Sequence, residues 1–388
     1  MKILSVLTYY YPHWTGLTAY AKRLAEGLVE RGHQVTILTA QHEPTLPRED
    51  THNGVRIVRL PALMRLSRGM VLPTFPFVAY RLIRSHDVVQ IHTPLMESLP
   101  VTILARLAGR RVLFTHHGDL VMPDGLWNQF IERFGTWTMT LAEKMSARIS
   151  VHSEDYARNS SFMSPFLDKT ECIYPPIVIP EPDAQQVAAW REELGVGANP
   201  LIGFAGRFVE EKGFDLLFKA IPKVLEAWPD AKFLYAGDFP VYEDFYSRCK
   251  SLLNGYQERV EFLGLITDQQ ELANFYSMCD VFVLSSRSDC FPSTQIESMY
   301  CGTPSVCTDI PGAREAVQAS GMGIIVQARD ETSLAEGIVR LLDDSGPYTK
   351  TREEISRVFS LERTVDRYET LLTELAGVPV AQEGGAVA

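Results

Sequence analysis

The chain has 388 residues, enough for two or three domains at about 100 to 200 residues each. Hydrophobic residues make up 46% and charged residues 22%, globular proportions that exclude a disordered or low-complexity chain. The net charge of −11 argues against nonspecific nucleic-acid binding, yet it is uneven: residues 1–180 hold 19 Lys and Arg against 15 Asp and Glu, and the remainder 18 against 33.

The first apolar run, Ile3 to Leu7, is cut short by Thr8 and Tyr9-Tyr10-Tyr11-Pro12, too early for the apolar region of a signal peptide. No run of about 18 uncharged apolar residues occurs, so no membrane-spanning helix is expected and the protein reads as cytoplasmic. The cysteines at 172, 249, 279, 290, 301 and 307 form no C-x-x-C pair, which favours reduced thiols over disulfides or structural zinc.

After Ile3 to Leu7 comes a loop with Pro12 and Gly16, then a helix in which Ala21, Leu24, Ala25, Leu28 and Val29 recur at helical spacing. Val35 to Leu38 completes a strand-loop-helix-strand unit of the parallel, doubly wound kind. Strand-like runs follow at Val55 to Leu60, Val88 to Ile91, Val112 to Phe114 and Ile149 to Val151, with helices over Ser98 to Leu107 and Leu126 to Lys144. The prolines between Tyr174 and Pro182 mark a linker. A second alternation then begins, with strands at Leu201 to Ala205, Lys232 to Ala236, Val260 to Leu263, Val281 to Leu284, Ser305 to Thr308 and Ile324 to Val326.

The fold class this implies is α/β, with two Rossmann-like domains in tandem facing an interdomain cleft. The expected boundaries are 1–178, 179–360, a C-terminal helix over 361–376 that crosses back to the first domain, and a disordered tail over 377–388. No G-x-G-x-x-G, P-loop or H-E-x-x-H motif occurs, so ordinary dehydrogenases, P-loop NTPases and zincins are disfavoured.

Chemistry is expected on loops that follow strands. Gly206-Arg207 and Lys212-Gly213 put two cations on one strand-to-helix loop, where they could neutralise a diphosphate; alternatively they pair with Glu210 and Glu211. Within Asp289 to Glu297, Pro292 suits the first helical position, and the amides of Ser293 and Thr294 would form an anion site at a helix N-terminus. Asp289 and Glu297 could accept hydrogen bonds from vicinal sugar hydroxyls; the structural alternative makes Asp289 a helix cap and Glu297 a surface residue. Thr115-His116-His117-Gly118-Asp119 offers a histidine that could donate to a sugar or phosphate oxygen or shuttle a proton. Paired histidines also raise metal binding, but no further cluster at ligand spacing supports it.

In this order and spacing, the segments resemble the retaining GT-B glycosyltransferases of family four. The resemblance runs from Gly16 and Arg31-Gly32-His33 through Thr115-His116-His117-Gly118, Gly206-Arg207, Lys212-Gly213 and Asp289 to Glu297, to Cys301-Gly302-Thr303-Pro304 and Gly312-Ala313-Arg314-Glu315. It implies a nucleotide diphosphate sugar donor, UDP- or GDP-linked, and transfer of a hexose-type sugar with retention to a glycan, glycolipid or small-molecule acceptor. By the same resemblance Arg207 and Lys212 bind the diphosphate, and Glu297 takes the donor ribose. Asp289 stands where the family's first acid contacts the transferred sugar, with Phe291, Pro292, Ser293 and Thr294 beside the donor. His117 matches the active-site histidine, and Gly16 the second glycine of the first-domain loop. No cofactor or metal is implied. Three positions depart from the pattern: Asp289 replaces Glu, Cys290 replaces Gly, and Thr15 replaces the first Gly.

For the acceptor, residues 61–84 combine Arg65, Arg68, Arg81 and Arg84 with Met70, Leu72, Phe75 and Phe77, a mixture compatible with peripheral membrane contact or with a packed helix and solvated arginines. A nucleotide-sugar epimerase, a sugar-phosphate phosphorylase and a noncatalytic nucleotide-sugar binding protein are the competing readings.

Overall fold

The computed structural model describes residues 1–66, 69–120, 125–237 and 245–377. Arg68 and the expected tail beyond Gly377 lie outside the described residues. The chain divides into two compact units, Met1–Pro176 together with the segment from Leu361 onward, and Ile177–Ser360.

The first unit is built on β1 (Lys2–Val6), β2 (Gln34–Gln41), β3 (Glu49–His52) and β4 (Val55–Pro61), a small hairpin of β5 (Met64–Leu66) and β6 (Gly69–Val71), then β7 (Val88–Thr93), β8 (Arg111–His116), β9 (Arg148–Val151) and β10 (Thr170–Cys172). Its eight-stranded sheet has the order β10-β9-β8-β7-β1-β2-β4-β3. All neighbours are parallel except β3, which pairs antiparallel with β4. The sequence reading missed β3 because Glu-Asp-Thr-His carries no apolar residue, and β10 because three residues are too short to show a period.

Alternate residues of these strands enter opposite cores. Ile3, Val35, Ile37 and Ile57 face helices Gly16–Glu30 and Leu361–Ala376, whereas Leu4, Val6, Leu38 and Phe114 face helices Phe75–Ser85, Ser98–Leu107 and Leu126–Met145. The late helix is integral to the first core: Val365, Tyr368, Leu371 and Leu372 are buried against β-strands and the first helix.

The second unit holds β11 (Leu201–Ala205), β12 (Lys232–Ala236), β13 (Val260–Gly264), β14 (Val281–Leu284), β15 (Ser305–Thr308) and β16 (Gly323–Val326), all parallel in the order β13-β12-β11-β14-β15-β16. Both sheets therefore reverse direction beside their first strand, between β1 and β7 and between β11 and β14. At such switch points the loops after neighbouring strands part to opposite faces and leave a crevice at the carboxyl ends.

Tyr368 joins the late helix to the sheet through a buried polar contact. Tyr20 donates to its hydroxyl at 2.7 Å, and Ser150 Oγ lies 2.8 Å away. Tyr368→Phe removes the acceptor of the buried Tyr20 hydroxyl, while Ser150 Oγ keeps Phe114 O at 3.2 Å and Thr115 Oγ1 at 3.0 Å. It is predicted to cost about 1–3 kcal/mol, read as a lowered urea midpoint; an unchanged midpoint would contradict this role.

Candidate functional site

In the second unit the loops after β11 and β14 meet. Lys212 Nζ donates to Asp289 Oδ2 at 2.5 Å, and Ser286 Oγ donates to the same oxygen at 3.3 Å. The loops are also joined through backbone: Arg287 N donates to Glu211 O at 2.7 Å, and Ser285 Oγ to Lys212 O at 3.0 Å. Arg287 adds a bidentate pair to Asp215, 2.7 Å on each arm. That hydrogen bond, opposed by burial, raises the guanidinium further and holds the Asp215 carboxyl below the usual range against its own burial.

Two glycines make the approach possible. Gly213 has φ +67, and a Cβ there would lie 2.1 Å from Ser285 O; Gly312 has φ +85, and its Cβ would lie 2.5 Å from Asp289 O. No side chain fits either position without moving the loop.

The expected alternatives for these residues do not hold. Lys212 pairs with Asp289, while Glu210 is taken by Arg248 at 2.9 Å and Glu211 offers its backbone carbonyl to Arg287. Arg207 is exposed and has no carboxylate partner among the described residues. Asp289 does not cap the following helix. That helix is Ser293–Tyr300, with Pro292 at the N-cap and no side-chain cap, so Pro292 stands one position before the first helical residue where it was expected. The proline lacks a hydroxyl or carboxylate, which leaves Ser293 and Thr294 to present their amides at the open helix end. Phe291 is packed inside, its ring 6.1 Å from that of Phe359. Glu297, rather than lying at the surface, is 6% exposed and accepts a 3.2 Å hydrogen bond from Tyr276 Oη. Burial, with Asp289 next to it, lifts the Cys290 thiol to about 12, so it is not a thiolate at neutral pH.

In the first unit three histidines stand at the carboxyl ends of adjacent strands: His92 on β7, His117 just after β8, and His152 just after β9. His92 Nδ1 is 2.9 Å from His117 Nε2, and His117 Nδ1 is 3.1 Å from His152 Nε2. The row ends on Ser5 Oγ, 2.9 Å from His92 Nε2, and on the carbonyl of Ile173, 3.5 Å from His152 Nδ1. A carbonyl only accepts, so His152 carries its proton on Nδ1; His117 then donates from Nδ1, His92 donates from Nδ1, and Ser5 donates its hydroxyl. Each ring is thus neutral with one assigned tautomer. Burial lowers His92 to about 3 with help from His152, and lowers His152 to about 4; burial and all three neighbouring imidazoles push His117 down as well.

The histidine expected to donate to a ligand oxygen or to shuttle a proton is placed in this row, and as seated the one N–H of neutral His117 goes to His152. His92 and His152 were not singled out from sequence, although each lies at the end of a recognisable strand. Tyr20 sets its ring edge-on to His117 at 4.7 Å. Gly16 begins its helix behind Thr15, whose hydroxyl accepts from Thr18 N in a capping box, and a Cβ at Gly16 would meet nothing within 4 Å. Thr15 is therefore engaged with its own helix. His116 has the opposite electrostatics: burial lowers it, but Asp119 at 3.2 Å and Glu143 outweigh burial and hold it at about 9.

Two family models match the chain: residues 15–173 match the glycosyl transferase 4-like domain, and residues 199–344 match glycosyl transferases group 1. An uncharacterized glycosyltransferase of Methanocaldococcus jannaschii is 27% identical over 89% of this chain and 90% of its own. The GDP-mannose-dependent alpha-(1-6)-phosphatidylinositol monomannoside mannosyltransferase of Mycolicibacterium smegmatis is 27% identical over 86% of this chain and 87% of its own. Among solved structures, Anabaena HepE in complex with UDP and glucose has a TM-score of 0.77 at 18% identity, over 96% of this chain and 100% of that one. That likeness is one of fold, and the fold is the GT-B type.

The histidine row makes stability sensitive to acid. The folded pKa values of His92 and His152 lie below the ordinary 6.5, so below that pH the unfolded chain binds protons the folded chain excludes. Each contributes a loss of about 1.4 kcal/mol per pH unit once the pH is well below 6.5. His116 acts the other way, stabilising fully below 6.5 and losing that contribution as pH rises through about 9. The urea midpoint is predicted to fall between pH 6.5 and 5, with a shallower fall in His152→Asn; a flat profile would contradict a neutral row.

Proposed function

The chain belongs to the glycosyltransferases of group 1, family four, and we propose that it moves a hexose-type sugar from a UDP- or GDP-linked donor to an acceptor hydroxyl with retention of anomeric configuration. The observation that carries this reading is the meeting of Lys212 and Asp289 at the β11–β14 switch point, beside an uncapped helix end at Ser293 and Thr294. A dinucleotide-like diphosphate is the ligand class suited to such a place: fixed cations and helix-end amides meet its charge, and carboxylates meet its sugar hydroxyls. The GDP-mannose dependence of the mycobacterial mannosyltransferase and the UDP bound in the Anabaena structure support it.

In this reading Lys212 and Arg207 bind the diphosphate and stabilise the negative charge that grows as the sugar's C1–O bond breaks. Asp289, held by Lys212 and Ser286, orients the transferred sugar, and buried Glu297 takes the ribose hydroxyls. Ser293 and Thr294 offer amides, while Phe291 and Pro292 fix the loop that carries them. His117 is the active-site histidine of this reading, and Gly16 lets the backbone of its loop approach the donor. The leaving phosphate oxygen accepts the proton of the acceptor hydroxyl, and the new C1–O bond forms on the face from which phosphate departs. No divalent metal is required, because Lys and Arg already supply the countercharge.

The test is donor turnover followed by proton NMR over a panel of UDP- and GDP-sugars, with chelator present. One donor is expected to release its sugar slowly, with the first-formed anomer matching the donor. An inverted anomer would sink retention, abolition by chelator would sink metal independence, and an epimerised nucleotide sugar would replace transferase with epimerase.

A further inference from the structure

Helix Leu126–Met145 is apolar on two faces. One buries Gly135, Thr138, Met139 and Ala142 on the first unit. The other carries Trp127, Phe130, Phe134 and Trp137, which are 63%, 58%, 47% and 57% exposed. Their spacing of three, four and three residues lines them along one side of the helix, and successive rings lie 5.7, 6.2 and 6.0 Å apart. A helix covering a soluble core ordinarily turns charge outward, so four outward aromatics in a row require a partner. Helix Ser98–Leu107, packed beside it, exposes Ile103 and Leu107, and helix Phe75–Ser85, next in the same layer, exposes Phe77 and Tyr80. Of the 17 large hydrophobic side chains exposed among the described residues, nine lie on these three helices.

The charge around this patch is basic. Arg81 and Arg84 lie on helix Phe75–Ser85, and Arg133 is exposed on the same helix as the aromatic ladder, beside Phe134 in the chain. Lys144 follows Trp137 by seven residues, two helical turns further along nearly the same side. There Arg106, Arg110, Arg111, Lys144 and Arg148 line an open depression of about 550 Å³, against the single carboxylate of Glu374. Arg110 Nε is buried there with no hydrogen-bond partner among the described residues.

We propose that this face of the first unit docks on an anionic phospholipid bilayer, with the Trp127–Trp137 ladder seated at the acyl boundary and the arginine-lined depression receiving lipid phosphates. Trp and Phe suit that boundary because their rings are apolar yet tolerate the headgroup layer. Arg and Lys beside them meet the negative surface and pair with phosphate oxygens. The charge asymmetry selects this occupant over an unspecified apolar partner, for the aromatic face is framed by cations in a chain whose net charge is −11. The surface differs from the 61–84 segment expected to touch membrane, of which it includes only helix Phe75–Ser85, and it does not depend on the transferase reading.

Vesicle flotation tests it with the full chain, using phosphatidylcholine alone and phosphatidylcholine mixed equally with phosphatidylglycerol. Binding is expected to the anionic vesicles only and to weaken as salt is raised. The variants Trp127→Ser/Phe130→Ser/Trp137→Ser and Arg106→Glu/Arg111→Glu should each weaken it at least about tenfold while donor hydrolysis is unchanged. Should a variant fail to fold, the wild-type protein still decides: brominated acyl chains in the anionic vesicles should quench its tryptophan emission. No flotation, flotation indifferent to both variants, absence of quenching, or a wild-type dimer that the aromatic variant converts to monomer would each overturn the proposal, the last because a second copy would then cover the patch.

Discussion

Because β14 returns to the far side of β11, the loops after these strands emerge side by side, and Lys212 from one reaches Asp289 from the other at 2.5 Å. Surface loops are ordinarily mobile, and these two are not left to the ion pair alone. Arg287 clamps Asp215 and two backbone carbonyls, Gly213 admits Ser285 within contact, and Gly312 presses its backbone against the Asp289 turn. An exposed pair such as Lys223–Glu336 is worth about 0–1 kcal/mol. The Lys212–Asp289 pair is much less exposed, at 22% and 10% of the side chains, so its geometry is fixed by packing and its charges are poorly screened. A cation held this way needs no reorganisation to meet a developing negative charge, which is what phosphate departure demands.

The first unit obeys a different constraint. Four strands end together beside its own reversal point, and their ends carry Ser5, His92, His117 and His152 in one hydrogen-bonded row. The acceptor-only carbonyl of Ile173 sets the direction of every donor in it. The row stays neutral because its three imidazoles are buried together, while His116, one residue away, points to Asp119 and Glu143 and keeps its proton. Tyr20 and Tyr368 back this row, so the late helix that closes the first core also supports the residues at its carboxyl edge.

Much of this was legible in the sequence where a physical signal existed. Buried parallel strands read as continuous apolar runs, and Leu201–Ala205, Lys232–Ala236 and Val281–Leu284 coincide with those runs. Strand β3, with no apolar residue, left no trace. Gly206 and Gly213 around Lys212, and Pro292 after Asp289, pointed to the loops but not to their partners: that Lys212 faces Asp289 depends on strand order, which periodicity does not encode. Arg287, which fastens both loops, stands in no motif and was not singled out from sequence. The neutral state of His117 was equally hidden, because it follows from His92 and His152, distant in sequence and adjacent only across the sheet. The family resemblance supplied roles for residues, whereas Leu126 to Lys144 read only as a helix, and its exposed aromatic face depends on which side the fold buries.

The central claim is that Lys212 stabilises the departing diphosphate. Steady-state turnover of the preferred donor by Lys212→Ala, alongside its urea midpoint, tests it most directly. The account predicts a loss of about 10²–10³ in kcat with cooperative unfolding retained. Wild-type turnover in a folded Lys212→Ala variant would contradict it.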